Sequence, residues 1–261
     1  MSKKAILVVS FGTSHTDTRE KTIDRIEEDI RRACPDYEIF RAWTSKMIIK
    51  KLKERDGVKI NTVREAMEEL IAAGIRELIV QPTHVINGIE NDLMKEDVLA
   101  YQDSFDRISF GNPLLTTEED NEAVIRAVAE ELSPDESEAL VLMGHGTTHF
   151  ANSIYAALDY QFKDMGYSNI FLGTVEAYPS LVSLMKQVHA YNPEKVVLAP
   201  FMIVAGDHAK NDLSSEDEDS WRSQFEKEGF QVECLLKGLG EYPAVRQLFL
   251  KHVNEAASCK A

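Results

Sequence analysis

Three side chains stand out for the chemistry they could do together. His145 lies between two glycines in VLMGHGTTHF, Glu176 lies in GTVEAYPS, and His208 lies in PFMIVAGDHAKND. Two imidazoles and a carboxylate suit a divalent first-row ion of borderline softness: Co²⁺, Ni²⁺, Fe²⁺ or Zn²⁺. The set contains no thiolate, which argues against a closed structural zinc site, and three protein ligands leave coordination positions open for reaction. Taken singly, each residue has a plainer explanation. His145 could be a packing histidine, although flanking glycines are unusual for one and suggest close approach to a ligand. Glu176 could be a helix-start carboxylate, and His208 could simply open a helix. Their shared placement, each shortly after an apolar run, favours the joint reading.

Other polar residues fall near the same kind of position. His149, four residues after His145, reads as an orienting or substrate-contacting residue rather than a ligand. His84, in QPTHVING, also follows an apolar run and is a second candidate for contact with a substrate. Ser10, Thr13 and Ser14, in VVSFGTSHTD, could cap the helix expected near Asp17 or hydrogen-bond a ligand. His15, His189 and His252 look peripheral, the last two lying late in helical stretches where a cation is favoured. Cys34, Cys234 and Cys259 are scattered and form no CxxC pair, so neither a disulfide frame nor a thiolate site is indicated. Neither GxGxxG nor GxxxxGK[ST] occurs, so no nucleotide is expected.

The elements that must position these residues alternate along the chain. β-rich runs are predicted over 5–10, 38–42, 77–81, 107–110, 139–143, 170–174, 195–199 and 231–235. Amphipathic stretches over 18–33, 61–73, 121–131 and 179–189 read as helices between them. Near-continuous apolar strands separated by helices indicate an α/β fold, with parallel sheets buried on both faces. In such sheets ligands sit beyond the carboxyl ends of the strands, where His145, Glu176 and His208 all fall.

The chain also repeats itself. AILVVSFGTS resembles ALVLMGHGTT, with Gly12 opposite Gly146, and LIVQPTHVINGIENDL resembles VVLAPFMIVAGDHAKNDL, with Pro82 opposite Pro200. Two similar Rossmann-like halves follow, divided near Ser133-Pro134-Asp135 into residues 1–133 and 134–261, with a cleft between them as the expected site. The second alignment sets Glu90 opposite His208, so the first half could add a carboxylate to the chemistry.

With 261 residues and a formal net charge of −15, the chain is long enough for a substantial core and a poor match to nucleic acid. No apolar run reaches membrane-spanning length, and no secretory leader is evident. The acidic run Glu216-Asp217-Glu218-Asp219 reads as a solvated loop. The most basic stretch comprises Arg41, Lys46, Lys50, Lys51, Lys53 and Arg55. Most of these are expected on a solvated helix face, with some available to an anionic ligand.

GHGTTH, GTVEAYP and MIVAGDHAKND, together with SFGTS and SKMIIKKLKERDG, closely resemble the anaerobic cobalt chelatase family of cobalamin biosynthesis (CbiK). The similarity runs from Ala5 to about Val253. It implies a chelatase fold of two similar α/β halves around a cleft, shared with ferrochelatase, and insertion of Co²⁺ into sirohydrochlorin or precorrin-2 without ATP. Co²⁺ is then the substrate metal, and no nucleotide or organic cofactor is expected. The family's metal-binding residues fall on His145, Glu176 and His208, and its active-site glutamate falls on Glu90. Some relatives carry a leader and haem; this sequence shows no leader, so a cytoplasmic role is expected. A homo-oligomer is a further expectation, since related chelatases often form one.

Two pyrrole protons must leave as the metal enters. The resemblance therefore implies His145 as both ligand and general base, with His208 and Glu176 holding the ion. Because the ligating imidazoles must be neutral, activity is expected to fall below about pH 6. Within this class the alternative is iron or nickel insertion, since a His–His–Glu set does not separate neighbouring metals. Outside it, a non-catalytic metal- or tetrapyrrole-binding protein is the rival. A histidine phosphatase is disfavoured because Gly144 stands where that family has arginine.

Overall fold

A computed structural model describes residues 3–258, so Cys259 lies outside the described residues. It contains two four-stranded, all-parallel sheets. In the first, β1 (Lys3–Ser10), β2 (Glu38–Trp43), β3 (Ile75–Pro82) and β4 (Arg107–Phe110) are ordered β2-β1-β3-β4. In the second, β5 (Glu138–Gly144), β6 (Ile170–Thr174), β7 (Lys195–Pro200) and β8 (Gln231–Cys234) are ordered β6-β5-β7-β8. Replacing each strand of the first sheet with the one four later generates the second, so the repeat seen in sequence is a repeat of topology. All eight predicted strands are present. The central ones are fully buried over most of their length, as in Ala5–Ser10 and Ala139–Gly144, because helices cover both faces of a parallel sheet.

Among the described residues ten α-helices connect and flank these strands: α1 (Thr16–Lys21), α2 (Ile23–Ala33), α3 (Lys46–Asp56), α4 (Val63–Ala72), α5 (Ile89–Leu99), α6 (Glu118–Leu132), α7 (Ser153–Asp164), α8 (Leu181–Tyr191), α9 (Trp221–Lys227) and α10 (Pro243–Ser258). Local signals fix several ends. Thr62 and Glu65 close a capping box on α4, Ser45 caps α3, and Gly57 ends α3 in the left-handed region. The helix predicted over 18–33 is broken at Thr22, whose hydroxyl donates to the Thr18 carbonyl at 2.5 Å. Its backbone leaves helical geometry there (φ −121°, ψ −84°), a hydroxyl competing with the helix ladder. No described helix is long and apolar enough to cross a membrane.

The chain divides into two compact units, and the division differs from the predicted split. Of the described residues, the first unit holds 3–120 and 243–258, and the second holds Asn121–Tyr242. The Ser133–Asp135 loop lies inside the second unit, fastened to its sheet: Asn169 Nδ2 donates to the Asp135 carbonyl at 2.9 Å, and the Asp135 N–H donates to Glu138. The last helix returns to the first unit. Arg246 of α10 pairs with Asp29 of α2 at 2.7 Å, and Val245, Phe249 and Val253 are buried.

His252, expected at a helix end, is instead fully buried within α10. Its Nδ1 lies 3.0 Å from the Asn112 carbonyl, and its Nε2 lies 3.0 Å from Asp120 Oδ1 at an angle outside hydrogen-bond geometry. Burial alone would raise the Asp120 pKa. The contacts with His252, Lys251 and Thr117 outweigh that and hold the carboxyl below its ordinary range.

Candidate metal centre

Each of the three predicted ligands leaves the carboxyl end of a strand in the second sheet. His145 follows β5, Glu176 follows β6 and His208 lies beyond β7. β5 and β7 are neighbours from which the chain departs in opposite directions, the switch point at whose carboxyl ends such sheets place ligands. One donor atom from each residue lies within 4.8 Å of the other two.

The loops that carry them are tied together. The Val175 and Glu176 N–H groups donate to the carbonyls of Gly144 and His145, each at 3.0 Å. Asn152 accepts from the Thr147 N–H at 3.0 Å and donates to the Tyr178 carbonyl at 2.6 Å. The glycines beside His145 serve this packing, a role different from the close ligand approach suggested by the sequence. A Cβ on Gly144 would lie 2.5 Å from the Tyr155 ring. Gly146 has φ +87°, and a Cβ there would lie 2.9 Å from the Ala177 nitrogen. Burial pushes the Tyr155 phenol up to about 12, against a smaller opposing effect from the Gly146 backbone, so that buried ring stays neutral.

The protonation pattern follows from the partners. His145 Nδ1 lies 2.8 Å from the Gly146 carbonyl, which can only accept, so Nδ1 carries the proton. His208 Nδ1 lies 2.8 Å from the Asp212 carboxylate and is likewise the donor. In neutral rings both Nε2 atoms are then bare lone pairs, yet they face each other at 3.1 Å with the rings edge to face at 89°. Two bare lone pairs at that distance repel unless a cation or a shared proton lies between them. Two ligand atoms each about 2.0–2.1 Å from one ion would stand about 2.9–3.4 Å apart, which matches. Glu176 is the anionic group of the cluster, with Oε2 3.6 Å from His145 Nδ1 and the side chain 54% exposed. His208 does begin a short helical segment, a single π-turn over Ala209–Leu213, and the turn after it brings Asp212 under its ring. Asp212 escaped the sequence reading; a carboxylate four residues after His208 was the available signal.

The remaining candidates take other positions. His149 accepts the Ala151 N–H at Nδ1 (3.2 Å) and caps the short turn Phe150–Asn152. Ser10, Thr13, Ser14 and His84 belong to the first unit and are all buried. The Ser10 hydroxyl accepts from Thr83 at 2.8 Å, and the Thr13 hydroxyl accepts the His15 N–H. Ser14 Oγ and both ring nitrogens of His84 lack hydrogen-bond partners. The residue at the N-cap of α1 is His15, with no side-chain cap, so none of the three hydroxyls caps that helix. Glu90 is half-buried in the first turn of α5.

Arg41, one of the basic residues considered for anion binding, is committed internally. Its guanidinium forks onto Glu27 at 2.7 and 2.6 Å and also pairs with Asp24. The lysines of α3 are exposed, as expected of a solvated face, and a surface groove there is lined by Met47, Lys50, Lys51, Glu54 and Arg55. The acidic residues 216–219 are likewise exposed, in a turn.

This centre can be set beside known proteins. The model of the cobalt chelatase (CbiK) family matches residues 4–258. The chain belongs to the cobalt chelatase family. Among curated proteins it is 41% identical to the sirohydrochlorin cobaltochelatase of Salmonella typhimurium over 97% of this chain and 96% of that one. It is 30% identical to the sirohydrochlorin cobaltochelatase CbiKC of Nitratidesulfovibrio vulgaris, over 99% and 92% of the two chains. Among solved structures, SirB from Bacillus subtilis with Fe³⁺ superposes with a TM-score of 0.64 at 18% identity, covering 98% of this chain and 96% of that one. This last likeness is one of fold, and the family's fold is the α/β arrangement described above.

Proposed function

We propose that the protein inserts Co²⁺ into sirohydrochlorin, or its reduced form precorrin-2, without a nucleotide, releasing two pyrrole protons. The observation that carries this is the convergence of the His145 and His208 Nε2 atoms, 3.1 Å apart, beside an exposed carboxylate, in a chain of the cobalt chelatase family. The imidazoles hold the ion by neutral donors, and Glu176 lowers the net charge at the centre as the ion arrives. Holding must be modest, because the metal is a substrate that leaves. Once the ion has passed to the macrocycle, an imidazole Nε2 is again a bare base, placed to accept a pyrrole proton. His145 takes that role in this reading, since its Nδ1 proton is anchored on a backbone carbonyl. Glu90 is proposed as a second group in proton transfer, on the strength of its repeat position opposite His208.

The test is anaerobic turnover of sirohydrochlorin with Co²⁺, followed by macrocycle absorbance against an enzyme-free control and repeated with Fe²⁺ and Ni²⁺. Multiple turnovers are expected, with losses of at least about 100-fold in His145→Ala and His208→Ala. Glu90→Gln should lower kcat while leaving Co²⁺ affinity intact. A stoichiometric spectral change without rate enhancement would mean a carrier and would overturn the reading.

A further inference from the structure

Tyr160, 73% exposed, stands alone well inside α7, but three other exposed apolar side chains of the second unit lie at one edge of its sheet. Phe150 is 85% exposed, Tyr178 65% and Val182 64%. Phe150 follows β5, Tyr178 follows β6, and Val182 lies in the first turn of α8. This is the sheet edge that carries His145, Glu176 and His208. Large apolar groups held in water beside a polar centre mark a surface that is covered in use.

These residues stand on braced backbone. His149 caps the turn that begins at Phe150 and lays its ring against the phenyl, with centroids 4.1 Å apart and planes tilted by 37°. Asn152 ends the same turn and holds the Tyr178 carbonyl at 2.6 Å, so one side chain sets the 145–152 loop against the 175–180 loop. Tyr178 is two residues from Glu176, whose N–H is bonded to the His145 carbonyl. Phe150 and Tyr178 therefore share one hydrogen-bonded frame with His145 and Glu176.

We propose that Phe150 and Tyr178, with Val182, form a platform that receives the flat face of the tetrapyrrole while the ion at His145, Glu176 and His208 passes into the ring. This inference rests on the chelatase reading. Transfer requires the ring nitrogens to come within bonding reach of the ion, so the macrocycle must cover the triad and the side chains around it. A polycarboxylate tetrapyrrole carries its charges at the rim and presents an apolar π face, and exposed aromatic rings are the surface that complements such a face. The continuity of the patch with the metal donors decides the occupant. A protein partner or second copy seated here would bury the donors that a substrate metal must reach.

The experiment titrates metal-free sirohydrochlorin into wild type, Phe150→Ala, Tyr178→Ala, the double variant and Tyr178→Phe, read by macrocycle absorbance. Co²⁺ affinity is measured separately from its visible ligand-field bands, and turnover and particle size are measured on each protein. We expect Kd for the macrocycle and KM to rise roughly tenfold in each alanine variant and further in the double variant. Tyr178→Phe should stay near wild type because the ring, not the hydroxyl, makes the contact, and Co²⁺ affinity should not change in any of them. Unchanged macrocycle affinity in the double variant, with wild type turning over, would overturn the platform. So would a shift in oligomeric state without a change in macrocycle Kd, which would identify the patch as a subunit interface. A wild type that binds the macrocycle without turnover, with binding weakened in the alanine variants, would overturn the chelatase reading and leave the platform as a tetrapyrrole-binding surface.

Discussion

Asp212 decides what His208 can do. By accepting the Nδ1–H hydrogen bond it orients the ring and leaves Nε2 as the free-electron-pair atom turned towards His145, the usual arrangement of a carboxylate behind a metal-ligating histidine. Asp212→Asn should weaken Co²⁺ binding by about 10- to 100-fold with little change in thermal stability, since the carboxylate is 45% exposed. A visible-band Co²⁺ titration and a melting curve on the same samples separate the two effects.

His84 is the opposite kind of histidine. Burial pushes its pKa down from 6.5 to about 4, and Asn91 only slightly favours the charged ring without closing a hydrogen bond. Below pH 6.5 the unfolded chain therefore binds a proton that the native state refuses. His84's contribution to stability is complete above pH 6.5 and is lost as pH falls towards 4, on the order of 2 kcal/mol between pH 7.5 and 5. Urea unfolding at those two pH values should show a loss that shrinks by about that amount in His84→Gln. An equal loss in both proteins would show that His84 is not the group responsible.

Loops, more than strands, set the precision of the centre. Gly146 occupies a left-handed conformation against Ala177, so Gly146→Ala is strained in its backbone and crowded at its side chain. It should destabilise the protein by about 1–3 kcal/mol. It should also weaken Co²⁺ binding, because the His145 Nδ1 anchor is the Gly146 carbonyl itself. A variant with wild-type Co²⁺ affinity would show that the loop tolerates the change without moving the ring. The opposite position in the repeat, Gly12, is also left-handed (φ +100°), and a Cβ there would lie 2.5 Å from the Trp43 ring. The repeated glycine thus serves the same turn in both units, while its preceding neighbour differs: His145 in one, Phe11 in the other. That single difference leaves the first unit's version of the turn without the imidazole of the candidate centre.

At the level of the whole chain, α10 makes the first unit discontinuous, and its stability depends on the last helix. Phe249 is fully buried there. Phe249→Ala should cost about 3–5 kcal/mol, with early loss of the first unit under limited proteolysis while the Asn121–Tyr242 segment is cut later. Simultaneous loss of both segments would mean that they unfold as one. The ending of the chain was the least legible part of the sequence, because α10's allegiance rests on contacts such as Arg246–Asp29, 217 residues apart, and no local pattern encodes those. α3 and α5 were obscured for a related reason. α3 is dominated by lysines, and α5 leaves Ile89, Leu93 and Leu99 exposed, so neither shows a clean apolar stripe.

The eight strands, their parallel class and the internal repeat were all readable, because burial on both faces writes itself into sequence as continuous apolar runs. The convergence of His145, Glu176 and His208 was readable too, since strand ends are where such sheets place ligands. What no local pattern holds is the 3.1 Å meeting of two Nε2 atoms or the tautomers that leave both bare. Nor could sequence reveal that Tyr155 and Ala177 are what require glycines beside His145. Those features depend on backbone paths summed over three strand–loop connections and on partners distant in sequence, and they exist only once the second sheet has packed.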